Sequence, residues 1–482
     1  MRFTDVRAAS LALIAPLSEE DCQVQSMNDA SPAKWHLAHT TWLFETFVLE
    51  PYEPGFRPFD ADYRMLFNSY YHTVGPQHAR PRRGLITRPS LAEVLRYRTE
   101  VEARIRRLLE QPDCPPEVAR LVWLGVHHEQ QHQELMLTDI LHLLSCHPCP
   151  ARAVYAADAP QPALADPAAR TDVALEGGLV RIGHAGEDFA YDNETPSHRV
   201  WLEPYVLRSQ LVSEADWLEF VQDGGYQQVR WWLSAGWDWV QQQGIVAPAY
   251  WRQSAYGGWM GFSLRGEVPL SAQAPVVHIS LYEAAAYAAW VAHRTGQRWR
   301  LPTEAEWEDA VRTRRDALQQ VDDAAWQWTQ SAYLPYPGFR PWDGPVQEYN
   351  GKFMADQMVL RGGSCATPAG HARASYRNFF PGGRAGSFRG CGWRGIWTPE
   401  AGSGQGWRPV PHDPLQRGQV QEGEMSVSGH PAAGIQIEAV AQLARLRDRH
   451  VAVRHGTDIL DQGGVIGAET GAGPQADVQI LL

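Results

Sequence analysis

Residues 116–144, PEVARLVWLGVHHEQQHQELMLTDILHLL, decide how the first part of the chain folds. Apolar residues recur through them at helical spacing, and Pro115-Pro116 supplies the opening that a helix tolerates at its first turn. Inside this helix, His128-Glu-Gln-Gln-His132-Gln-Glu134 sets two histidines four residues apart. Such positions share one helix face, so both imidazoles can reach one metal ion. Two solvated or capping histidines would show the same spacing, so the pair alone does not establish a site.

Working outward, a second pair raises the odds. Trp35-His36-Leu-Ala-His39 lies in another stretch with helical periodicity, Ser31 to Pro51. His39 sits in the apolar run LAHTTWLFE, where an unpaired imidazole would be costly to bury. Either His36 or His39 can be a third ligand. Three neutral nitrogens leave open positions on an octahedral metal, which suits iron with substrate and dioxygen as further ligands. Zinc with one open position is also allowed by spacing.

Two further segments complete the N-terminal part. Residues 1–20 and Ser90 to Gln111 also read as helices, with Ser90 as an N-cap. Four helices over residues 1–150 predict a four-helix bundle, whose core is where facing helices assemble metal sites. Residues 151–175 are rich in Ala, Pro and Asp without periodicity and read as a linker. From Glu176 to about 395, strand-like runs such as GGLVRIG and HRVWLEPYVL alternate with turns, with helices near Ser213–Val221 and Leu281–Arg294. The fold class is therefore multidomain: an all-α bundle followed by an α+β domain. Residues 396–482 are atypical. No Phe, Tyr, Trp or Lys follows Trp407, so this segment is expected to be disordered or to descend from a shifted reading frame near Pro381.

Composition narrows the function classes. Forty-three basic against 55 acidic side chains give a formal charge of −12, which does not favour nucleic acid or anionic membrane as partners. No apolar run reaches the length of a membrane span, and the N-terminal segment reads as a helix rather than a signal peptide. Six cysteines in 482 residues fit a reducing cytoplasm better than a disulfide scaffold. Cys146-His-Pro-Cys149 has no second such pair to complete a structural zinc site.

Ser31-Pro-Ala-Lys-Trp-His-Leu-Ala-His39 together with HEQQHQE resembles the DinB-like domain of the ergothioneine-type sulfoxide synthases, the hercynine oxygenase family. Phe189-Ala-Tyr-Asp-Asn-Glu194, Arg300-Leu-Pro-Thr-Glu-Ala-Glu-Trp307 and Leu360-Arg-Gly-Gly-Ser-Cys365 resemble the formylglycine-generating-enzyme/sulfatase-modifying-factor domain, a C-type-lectin-like fold. The resemblance spans roughly residues 5 to 385. It implies an iron(II) site on His39, His128 and His132. Glu134, off the ligand face, is then expected to orient a ligand or the helix.

Phe67-Asn-Ser-Tyr70-Tyr71 through Arg80-Pro-Arg-Arg83 resembles the branch of the family that uses free cysteine and keeps two adjacent tyrosines beside the iron. Tyr70 and Tyr71 are thus the expected catalytic groups, and Arg80 and Arg83 the expected clamp for the cysteine carboxylate. Tyr376-Arg-Asn378-Phe379-Phe380 resembles the opposite wall of the pocket. It implies that Asn378 and Gln131 meet the polar end of hercynine, while Phe379 and Phe380 face its trimethylammonium group. The implied partners are hercynine, cysteine and O2. Alternatives are an ovothiol-type enzyme acting on histidine and a DinB-type metal-dependent thiol transferase. Formylglycine chemistry is disfavoured, because the domain offers only Cys365 and Cys391 as a cysteine pair. Gln327, where the family often has Glu, is expected to matter little.

Overall fold

The computed structural model describes residues 3–383 and the backbone of 389 and 390. By contact the chain divides into residues 1–403 and 404–482. The second unit, the expected tail from 396 and Cys391 all lie outside the described residues.

The bundle forms from α1 (Phe3–Ile14), α2 (Ala33–Phe44), α3 (Leu91–Leu109) and α4 (Pro116–Ser145). Ser90 caps α3 as predicted: its hydroxyl accepts the Glu93 N–H at 3.2 Å, and Glu93 accepts the Ser90 N–H at 2.8 Å. Every residue of α2 is buried, so it is the central helix, packed on α3 and α4. It runs on into a π-helical turn, Glu45–Leu49. The crossing of α2 and α4 is close because Gly125 lies under Phe44; a Cβ at 125 would stand 2.3 Å from that ring.

A buried ionic network ties the helices together. Glu129 of α4 accepts from Arg7 of α1 at 2.7 Å, Arg98 of α3 at 2.8 Å and Ser10 at 2.5 Å. Arg7 also reaches Thr41 of α2 at 2.9 Å, and Arg98 the Leu37 carbonyl at 3.1 Å. Each charge thus finds partners that compensate its removal from water.

The second domain contains strands β1 (Asp172–Leu175), β2 (Gly178–Ile182), β3 (His198–Leu202) and β4 (Tyr205–Arg208). It continues with β5 (Trp251–Gln253), β6 (Trp259–Ser263), β7 (Gly266–Pro269), β8 (Trp326–Ala332), β9 (Met358–Gly362), β10 (Asn378–Phe380) and β11 (Arg389–Gly390). β2 pairs with β3 and β1 with β4, both antiparallel. The sheet that matters for the site runs β10-β9-β8-β11 and aligns Asn378, Leu360 and Trp328 across three strands. Gly362 ends β9 at φ +98°, where a Cβ would lie 2.4 Å from the Val321 carbonyl oxygen; this accounts for a glycine of the Arg-Gly-Gly-Ser-Cys motif.

Helices α5 (Glu214–Gln222) and α7 (Leu281–Thr295) form where expected. Two helices were not anticipated, α6 (Ser234–Gln243) and α8 (Glu304–Arg314). The second begins inside Arg-Leu-Pro-Thr-Glu-Ala-Glu-Trp with a Thr303–Glu306 capping box, a signal present in the sequence. The expected linker over 151–175 is also corrected. Its last four residues, with alternating burial, are β1, and backbone bonds from Tyr155 to Leu264 and from Ala163 to Asp323 lay the preceding stretch on the second domain.

Gln327 has a structural task. It is fully buried; its oxygen accepts the Trp307 indole N–H at 2.7 Å, and its amide donates to the Val321 carbonyl at 2.9 Å. A carboxylate could not make the second bond.

Candidate metal centre

His39 of α2 and His128 and His132 of α4 converge, with one potential ligand atom from each within 4.8 Å of the others. His39 Nδ1 donates to the Phe67 carbonyl at 2.6 Å, which fixes the tautomer and leaves Nε2 as a lone pair. That Nε2 is buried without a hydrogen-bond partner, as is Nδ1 of His128. Orphaned lone pairs in a protein interior are costly, and a bound cation would satisfy them. Trp35 and Trp42 stack on the His39 ring at 4.5 and 5.6 Å and hold its plane.

His36 lies outside this group. Its Nδ1 is 2.8 Å from Nδ1 of His132, and its Nε2 is 3.0 Å from Oδ2 of Asp139. Of His36 and His39, it is His39 that belongs to the converging group. Burial lowers the pKa of all three converging histidines: His128 falls to about 3, and His39 and His132 lie well below the ordinary value. Three neutral imidazoles in a dry site form a donor set that fits a divalent transition metal.

A cavity of about 390 Å³ opens over His128 and His132, between α4 and the second domain. Tyr70, Arg80, Arg83, Gln131, Glu134, Asn378, Phe379 and Phe380 all border it, whereas His39 and Tyr71 do not. Tyr71 is fully buried behind Tyr70, the two rings stacked at 4.6 Å. Burial pushes the Tyr70 phenol up to about 12 and that of Tyr71 well above its ordinary value, so both hold their protons at neutral pH.

Arg83 is buried, its guanidinium 3.4 Å from the centre of the Trp35 ring. It donates to Ser31 at 2.9 Å and Ser69 at 3.1 Å, leaves Nε unpartnered, and forms no ion pair among the described residues. A buried cation so placed can accept an anionic ligand.

Across the cavity, Gln131 is held by two tyrosines: its oxygen accepts from Tyr349 at 2.5 Å and its nitrogen donates to Tyr376 at 2.7 Å. One N–H and one lone pair of the amide are left for a ligand. Phe379 stacks on Tyr333 at 4.0 Å. Glu134 accepts from Trp326, Ser364 and Thr367 at 2.8, 2.5 and 2.8 Å. Of its two expected roles, these bonds serve the one that fixes the helix, here against the second domain.

Several wall residues carried no sequence assignment. Tyr349 lies in a stretch without periodicity and gave no signal. Asn193, inside the quoted Phe189–Glu194 motif, borders the cavity with its Oδ1 buried and unpartnered.

A family model described as DinB superfamily matches residues 2–136, and one described as sulfatase-modifying factor enzyme 1-like domain matches residues 158–324. The chain is 31% identical over 435 residues to the hercynine oxygenase of Mycolicibacterium thermoresistibile, covering 78% of this chain and 90% of that protein. It is 31% identical over 397 residues to the hercynine oxygenase of Mycobacterium tuberculosis, covering 72% and 87%. The formylglycine-generating enzyme of Streptomyces coelicolor is 35% identical over 168 residues, 33% of this chain and 52% of that protein. Among the described residues no helix is long and apolar enough to cross a membrane.

Proposed function

The chain belongs to the hercynine oxygenase family, and on that premise we propose how its site works. The activity is sulfoxide synthesis in ergothioneine biosynthesis. The sulfur donor is cysteine, the acceptor hercynine and the oxidant O2. The imidazole C2–H, the thiol S–H and O2 give a C–S bond, a sulfoxide oxygen and one water. The relatives do not favour the histidine-using and thiol-transfer alternatives.

His39, His128 and His132 would hold iron(II), which would supply the redox couple for O2 and the Lewis acidity that favours cysteine as thiolate. The chain does the rest. Arg83, with Arg80 beside it at the cavity wall, binds the cysteine carboxylate. Gln131, pinned by Tyr349 and Tyr376, and Asn378 hydrogen-bond the polar end of hercynine. Phe379 and Phe380 turn aromatic faces to the trimethylammonium group. Tyr70 keeps a proton on Oη at the cavity wall and is the acid of the reaction, with Tyr71 stacked behind it. Fixing both substrates on one wall converts an improbable encounter into an intramolecular step.

The observation that carries this reading is one cavity lined by two of the three converging histidines, by Arg83, which has no carboxylate partner among the described residues, and by an aromatic strand. It is tested by loading the protein with iron(II) without oxygen, then adding hercynine, cysteine and O2 and reading products by mass spectrometry. Hercynylcysteine sulfoxide is the expected product. Bound iron with neither cysteine consumption nor sulfoxide would overturn the reading.

A further inference from the structure

The loop that carries Tyr70 and Tyr71 is gripped from the second domain by two charged residues with no assigned role. Glu348 accepts four hydrogen bonds. The His72 and Thr73 backbone N–H groups reach it at 3.2 and 2.9 Å, the Thr73 hydroxyl at 2.6 Å, and Lys352 at 2.6 Å. Lys352 also donates to the Tyr70 carbonyl and sits over the Tyr70 ring, 4.7 Å from its centre. Phe353, the next residue, meets the same ring edge-on at 5.1 Å.

From the bundle side, His39 holds the Phe67 carbonyl at 2.6 Å, Arg83 the Ser69 hydroxyl at 3.1 Å and Arg64 the Val74 carbonyl at 3.3 Å, while Tyr71 packs on Trp42 and Phe47. Asn68 accepts the Tyr71 N–H at 3.0 Å and donates to the Tyr71 and Gly75 carbonyls at 3.0 and 3.2 Å. At Tyr70, His72 and Thr73 it is Glu348 and Lys352 that tie the loop to the second domain. The same short segment also carries Tyr349, which pins Gln131 on the opposite wall.

We propose that Glu348 and Lys352 are positioning residues that hold the Tyr70 hydroxyl over the reacting sulfur, and so decide between two fates of cysteine. With the proton in place, cysteine, hercynine and O2 give sulfoxide and water. Without it, cysteine takes both atoms of O2 as cysteine sulfinate, RSH + O2 → RSO2H, and hercynine is left untouched. The inference rests on the reading of Tyr70 as the acid.

The test uses the full chain loaded with iron(II) and has two readouts. Hydrogen exchange reports the grip directly, because the His72 and Thr73 amides donate to Glu348 and to nothing else in the loop. Their protection should fall by on the order of tenfold in Glu348→Ala, since each loses a bond to a charged acceptor. In the same variant, and in Lys352→Met, the share of cysteine leaving as sulfinate should rise several-fold, while Lys352→Arg keeps the wild-type ratio. The metal-free protein gives the same exchange result, so a failure of metal loading does not obscure it. Unchanged protection in Glu348→Ala overturns the grip. Lost protection with an unchanged product ratio, in a protein where Tyr70→Phe does shift that ratio, overturns the positioning role and leaves the reading of Tyr70 intact. If Tyr70→Phe leaves the ratio unchanged, the reading of Tyr70 and this inference fall together.

Discussion

The Nδ1 atoms of His36 and His132 lie 2.8 Å apart, so one ring carries a proton there and the other a lone pair. Asp139 settles which. Its Oδ2 accepts the His36 Nε2–H at 3.0 Å, so in the neutral ring Nδ1 of His36 is the acceptor and Nδ1 of His132 the donor. The lone pair of His132 then resides on Nε2, free for a metal. Asp139 is itself fixed by the Ser31 N–H at 2.8 Å, at the start of the helix that carries His36 and His39. Replacing His36 by Leu removes the acceptor that orients His132, and iron(II) affinity should drop by about 10- to 100-fold. His36→Gln, whose carbonyl can take the same proton, should lose less. Chelator competition measures both; wild-type affinity in His36→Leu would show that the relay orients nothing.

Metal binding should release almost no protons near pH 6. Ordinary histidines, with pKa values near about 6.5, would be largely protonated there and would give up their protons on binding. Burial holds His128 at about 3, and His39 and His132 well below the ordinary value, so the site is neutral before the ion arrives. Titration calorimetry in buffers of different ionisation enthalpy should then return the same binding enthalpy. The sign for stability follows. Below about pH 6.5 the unfolded chain binds protons on these histidines that the folded chain does not, so metal-free stability falls as pH falls through that range.

The part of the site legible in the sequence is the part written in short-range spacing. His128 and His132 are one helical turn apart, which places both rings on one face of α4. Between His36 and His39 spacing decides nothing, because residues three apart lie on adjoining faces. The choice is made by how α2 sits on α4, which depends on Phe44 closing over Gly125. Arg83 stood out by its charge, but its burial against Trp35 and its two serine partners did not. Tyr349, Glu348 and Lys352 come from a segment of turns and single-turn 3₁₀ helices and meet the bundle across more than 200 residues of chain, a distance at which periodicity carries no information.

Arg83→Lys should act on cysteine alone. The guanidinium lies flat on Trp35 and forks between Ser31 and Ser69, a geometry that an ammonium cannot copy. The KM for cysteine should rise by on the order of 10- to 100-fold, the loss of a charge-assisted bond, with the KM for hercynine unchanged. Cysteamine, which has no carboxylate, provides the control. The wild type should prefer cysteine strongly, and the variant should discriminate little. A preserved preference would remove Arg83 from the carboxylate site.

Glu129 should control acid stability without touching the cavity. Burial alone would raise its pKa, but the Arg7 and Arg98 guanidiniums and the Ser10 hydroxyl outweigh it and hold the carboxyl at about 2. In the unfolded chain the value is about 4.3, so the network stabilises the fold fully above that pH. The contribution is lost progressively as pH falls from about 5 towards 2, when the folded carboxylate takes up its proton. Glu129→Ala leaves Arg98 facing only neutral partners in the core and should cost about 3–5 kcal/mol at pH 7. Its stability should also vary less with pH between about 5 and 2 than that of the wild type. Denaturant titrations at a series of pH values measure both effects. Equal slopes in the two proteins would mean that Arg7 and Arg98 hold the bundle together through partners other than this carboxylate.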